Sequence, residues 1–146
     1  MKYILLSVIF LAAGCVETQK PEAVFIQTDQ HASRNLPFSQ AVRYGDLLFV
    51  SGQIGELENG EVIKGGIIPE TTQTMLNIQK ILEANGSSME NVIKCTCMLA
   101  DIDDWARMSS AYVKFFPKHK PARSAFATTG LAMGAKVEIE CIATVE

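Results

Sequence analysis

Residues 137–145 alternate. Val137, Ile139, Cys141, Ala143 and Val145 are separated by Glu138, Glu140, Ile142 and Thr144, a period of two that predicts a strand. The same reading predicts a first strand in "AVFIQTD" (23–29) and two more in "AVRYGDLLFVSG", joined at Gly45-Asp46. There Leu47, Phe49 and Ser51 share one face, and Leu48 and Val50 share the other. Asn59-Gly60 marks a tight turn. The period then changes. Met75, Ile78, Ile81 and Leu82 recur at helical spacing, with Pro69 to open a helix and Gly86 to end it. "ENVIKCTCMLAD" returns to a strand, and "DIDDWARMSSAYVKFFPKH" predicts a second helix with Trp105, Met108, Tyr112 and Phe115 as its apolar stripe. Asp101 stands where it can cap that helix. "ARSAFATT" and the alternating C-terminal run complete a β-β-β-α-β-α-β-β order. That order is an α+β fold with both helices on one face of a sheet. "CTCML" and "ECIA" leave the second face little polar cover, so a second copy of the chain is expected to bury it.

The first residues follow a different logic. "MKYILLSVIFLAAGC" runs from a single cation at Lys2 through an apolar stretch to small residues before Cys15. This is the order of a secretory signal, and it is short for a membrane span. "LAAGC" resembles the lipobox of bacterial lipoproteins, although Leu11 lies four residues before Cys15 where three is commoner. The resemblance implies a signal peptide over 1–14, lipid on Cys15, a tether over 15–22 and a folded domain over 23–146. It also implies anchorage at the cell envelope, on the periplasmic side in a two-membrane bacterium.

The 146 residues carry a formal charge of −3, which disfavours a nucleic-acid partner, and the only basic cluster is the mild "KFFPKHK". Cys95 and Cys97 stand two apart on one strand and Cys141 on another. Two histidines and no second paired motif argue against a metal site, so buried small side chains are the expected role.

Nucleophile-and-base sets are missing. His31 and His119 have no evident Ser or Cys partner, and Gly65-Gly66 lacks the spacing of a phosphate loop. "DIDD" sits at a helix start, where capping explains it. What remains is Arg123 in "KPARSAFAT", a permanent cation at the start of an apolar strand, and the glutamates of the last strand. Such a cation needs an anion: Glu138 or Glu140 of this chain, or a ligand.

Six stretches in order, "LPFSQAV", "LFVSGQIG", "NIQKILEANGSSMENVIKCT", "DIDDWARMSSAYVKFF", "PARSAF" and "KVEIECIA", resemble the reactive intermediate deaminase (Rid), or YjgF-like, family. The resemblance covers nearly everything from Ala23 to Glu146. It implies a chorismate-mutase-like α+β fold, a homotrimer around a central barrel, and ligand clefts between subunits. It implies hydrolysis of 2-imino or 2-enamino acids, such as 2-iminobutanoate and 2-iminopropanoate, to 2-oxo acids and ammonia, without metal or cofactor. Arg123 matches the arginine that holds the substrate carboxylate. Glu140 is taken as the glutamate that positions and deprotonates the attacking water. Ser124 and Ala125 would line the carboxylate site, with Ser51 and Gly52 beside it.

Four positions depart from the family pattern. Its usual "GPYSQA" tyrosine is Phe38 and the glycine before it is Leu36, so a hydroxyl is missing. Ser109 replaces a common asparagine, and Ala125 replaces the cysteine that often follows "PARS". Two functional readings follow: an imine or enamine deaminase, or a non-catalytic trimer of the same fold that grips a small carboxylate. Some relatives are described as ribonucleases, a role that the acidic charge opposes.

Overall fold

The computed structural model describes residues 20–145. Residues 1–14, where a signal peptide is expected, Cys15 and most of the expected tether lie outside the described residues, and among those described no helix is long and apolar enough to cross a membrane.

Six strands form one mixed sheet. They are β1 (Ala23–Ile26), β2 (Ala41–Tyr44), β3 (Leu47–Ile54), β4 (Val92–Leu99), β5 (Ala122–Ala127) and β6 (Val137–Thr144), in spatial order β1-β2-β3-β6-β4-β5. All pairs are antiparallel except β4 and β5, which are parallel because α3 (Trp105–Tyr112) lies on the connection between them. The alternation that predicts β6 is realised. Val137, Ile139, Cys141 and Ala143 are buried against the helices, and Glu138, Ile142 and Thr144 face the other way at intermediate exposure.

The long helix α2 (Ile67–Ala84) lays Met75, Ile78 and Leu82 on β3 and β6, and α3 adds Met108 and Tyr112 to the same layer. Both helices cover one face, as the α+β order predicts. Pro69 is the third residue of α2 rather than its first, at a position whose N–H has no intrahelical acceptor in any case. Gly86 ends α2 at a φ of 74°, and the amide of Ser87 donates back to the Leu82 carbonyl at 2.9 Å. This is the reversal that only a residue without Cβ makes cheaply.

Two elements differ from the periodic reading. A single turn, α1 (Asp29–Ser33), is capped by the Thr28 hydroxyl, which accepts from the His31 amide; five residues are too few to show a period. The second helix is three pieces, with 3₁₀ turns at Ile102–Asp104 and Val113–Phe115 on either side of α3. Asp101 caps the first of these through the Asp103 amide, as expected. Trp105, placed in the buried stripe by spacing, is instead 44% exposed, and Phe116 takes the buried place at the helix end.

The uncovered face carries a cross-strand apolar row. Phe25, Val42, Phe49 and Ile142 stand opposite one another across β1, β2, β3 and β6. Phe25 is 71% exposed and Phe49 is 40% exposed. An apolar row that runs across four strands is what an association surface requires.

Candidate functional site

Arg123 lies on β5 opposite Cys95 of β4, and Cys95 lies opposite Cys141 of β6. All three therefore point to the helix side. Residues 105, 109 and 112 of α3 fall on one helical face, and together they form a bed for the guanidinium. Its central carbon lies 4.9 Å from the Tyr112 ring centre and 5.2 Å from that of Trp105. One of its N–H groups donates to Ser109 Oγ at 3.0 Å. Among the described residues no carboxylate pairs with it. The anion that a half-buried arginine requires is thus absent among the described residues, and the rest of the donor fork is open to a ligand.

A second cluster forms around β3 and β6. The β3 register shifts between Val50 and Gln53, which sets Ser51 and Gly52 in an irregular stretch. Ser51 Oγ donates to the Ser39 carbonyl at 2.7 Å and its amide donates to Gln40, tying the Phe38 loop to this strand. Phe38 is half exposed and packs edge-on to His31, with ring centres 5.5 Å apart. The Glu138 carboxylate lies over Gly52 so closely that a Cβ there would overlap it. Burial, and then the charge of Glu140 two residues on, push the Glu138 carboxyl above its ordinary range.

The predicted residues therefore divide. Arg123 and Ser109 stand together. Phe38, Ser51 and Gly52 stand together elsewhere. Ser124 points to the open face, where its hydroxyl accepts from Lys94 Nζ at 2.9 Å, and Ala125 points to the core, partly buried. Glu140 shares the Glu138 face, opposite Thr96, and is exposed. It is not brought to Arg123. The two side chains lie on opposite faces of the sheet and two strands apart, which alone is about 10 Å.

Sequence reasoning missed Trp105 and Tyr112 as the bed of the arginine, and it missed Glu138 as the sheltered carboxylate. The i, i+4, i+7 spacing of 105, 109 and 112 holds the first signal. The second appears only once the β3–β6 register sets Glu138 against a residue without a side chain. A hollow of about 330 Å³ beside Glu90, Ile93, His119 and Lys120 contains none of the candidate residues.

Comparison with known proteins shows the family. The family described as endoribonuclease L-PSP matches residues 29–145. The chain is 38% identical over 120 residues to reactive intermediate deaminase A, chloroplastic, of Arabidopsis thaliana, covering 82% of this chain and 64% of the plant protein. It is 40% identical over 108 residues to the 2-iminobutanoate/2-iminopropanoate deaminase of Capra hircus, covering 73% of this chain and 79% of that protein. The structure of E. coli TdcF with bound serine superposes with a TM-score of 0.71 at 32% identity, over 76% of this chain and 90% of that one. The chain belongs to the endoribonuclease L-PSP family, the YjgF/Rid group.

Proposed function

We propose that the protein hydrolyses small 2-imino or 2-enamino acids to 2-oxo acids and ammonia, at sites that form where two copies meet. The observation that carries this reading is Arg123: a half-buried cation, oriented by Ser109, Tyr112 and Trp105 and without a carboxylate partner among the described residues. Relatives named as deaminases of this substrate class, at about 40% identity, support it.

The assembly follows from the division of the site. Arg123 and Glu138 cannot meet one small ligand within one chain, and the apolar row on the open face calls for a second copy. A homotrimer satisfies both, with Arg123 of one copy facing the Gly52 and Glu138 of its neighbour. The fork of Arg123 would hold the substrate carboxylate in two parallel hydrogen bonds, fixing the plane of the conjugated imine. Glu138, rather than the exposed Glu140, would take a proton from a water beside Gly52. The resulting oxygen attacks the imine carbon, the nitrogen receives the proton, and collapse of the carbinolamine releases ammonia. An imine is electrophilic enough for orientation and proton transfer to suffice. Phe38 supplies wall in place of a hydroxyl, which favours substrates with larger apolar side chains.

The test uses protein that begins after Cys15, with 2-iminopropionate and 2-iminoisocaproate generated in place and semicarbazide as competitor. Faster 2-oxo acid release with protein, more so for the isocaproate imine, is the expected result. A folded trimer that binds 2-oxo acids yet accelerates neither reaction would establish the carboxylate-binding reading instead. Anchorage at the envelope is a separate proposal that rests on "LAAGC" alone.

A further inference from the structure

Cys95 and Cys141 are directly opposed in the antiparallel β4–β6 ladder, with their Sγ atoms 2.7 Å apart. Both are free thiols, 0% and 2% exposed, beneath α2 and α3. We propose that Cys95 and Cys141 are a latent disulfide, a cross-strand bridge that closes under oxidising conditions with little movement of the sheet.

The register supports it. Directly opposed residues of an antiparallel pair hold their Cα atoms about 4.5–5.5 Å apart, inside the span of about 4.4–6.8 Å that a disulfide takes. Cys97 is the only other cysteine among the described residues. It sits two residues from Cys95 on the same strand, about 6.7 Å away along β4, and the residue opposite it in β6 is Ile139. It is therefore the spectator. Burial and the neighbouring Cys95 push the Cys97 thiol up to about 12. The hydrogen bond from Cys141, aided by the charges of Arg123 and Lys94, holds Cys95 below the usual thiol range, while Cys141 is pushed up. Cys95 is thus the sulfur that attacks first.

The oxidant is a disulfide, carried by a small molecule or by a protein. Cys95 thiolate attacks one of its sulfurs, breaks the S–S bond and expels one thiol. Cys141 then loses its proton, attacks Cys95 Sγ and expels the second thiol, so two electrons and two protons leave the pair. Because both sulfurs are buried, closure takes place as the chain folds or as the sheet opens. The bridge encloses the segment that holds α3 and β5, and so restricts the unfolded chain.

The experiment refolds the full chain in a buffer of oxidised and reduced glutathione. Remaining thiols are alkylated under denaturing conditions, and peptides are mapped by mass spectrometry without reduction. The expected result is a linked pair of peptides carrying Cys95 and Cys141, with Cys97 alkylated. The link disappears in Cys141→Ala, and the oxidised wild type melts at a higher temperature than the reduced. Alkylation of both Cys95 and Cys141 after oxidative refolding, or a link that uses Cys97, overturns the proposal.

Discussion

Replacing Arg123 with alanine lowers kcat/KM for imino-acid hydrolysis by about 10²–10⁴-fold and removes 2-oxo acid binding. Two charge-assisted hydrogen bonds to a carboxylate contribute about 1.5–3 kcal/mol each, and each 1.4 kcal/mol is about tenfold. The fold survives. Among the described residues Arg123 has two ring contacts and one hydrogen bond to lose, and no ion pair. Those contacts amount to about 2–3 kcal/mol, so a circular-dichroism melt shifts modestly while activity collapses. Arg123→Lys keeps the charge but not the fork, and it recovers only part of the binding. An alanine variant that turns over at the wild-type rate would remove Arg123 from the site.

The second large effect is at Glu138. Glu138→Gln lowers turnover by about 10²–10⁴-fold, the usual worth of a positioned general base, while 2-oxo acid binding stays near wild type. Glu140→Gln leaves the plateau rate nearly intact. The pH profile separates the two glutamates. A base works when ionised, so activity rises with pH through the pKa of Glu138. Burial raises that pKa, so the acid limb lies above the ordinary carboxylate range. Glu140 adds to the shift by its charge, and Glu140→Gln therefore moves the limb to lower pH without lowering the plateau. Kinetics over about four pH units, from about pH 4 to 8, show this directly. A profile that loses its limb in Glu140→Gln and keeps it in Glu138→Gln would reverse the assignment.

Much of this was legible in the chain. The alternation of 137–145 and the helical spacing of 75, 78 and 82 fix the layers, because each period allows one buried face. The Asp101 cap and the Gly86 stop are local chemistry, and they form as written. Trp105 is the instructive failure. Helical spacing assigns it to the core, yet it serves as a half-exposed bed for Arg123, because an aromatic face meets a cation as readily as it meets a methyl group. Choosing between Glu138 and Glu140 fails for another reason. Both lie on the same face of one strand, and only the pairing of β6 with the irregular part of β3 shows which of them lies over Gly52. A site shared by Arg123 and a glutamate of β6 was suggested only by the family resemblance, since within one chain the sheet separates Arg123 from both Glu138 and Glu140.

The central claim is therefore that one site draws Arg123 and Glu138 from different copies. Arg123→Ala and Glu138→Gln chains, each inactive, are co-expressed under different tags, and mixed assemblies are isolated through both. If each site takes its arginine and its glutamate from neighbouring copies, about a third of the interfaces in these mixed trimers, one in each whichever chain is present twice, receive both intact residues. Activity then returns to roughly that fraction of wild type. Mixed trimers that form and stay inactive would contradict the account.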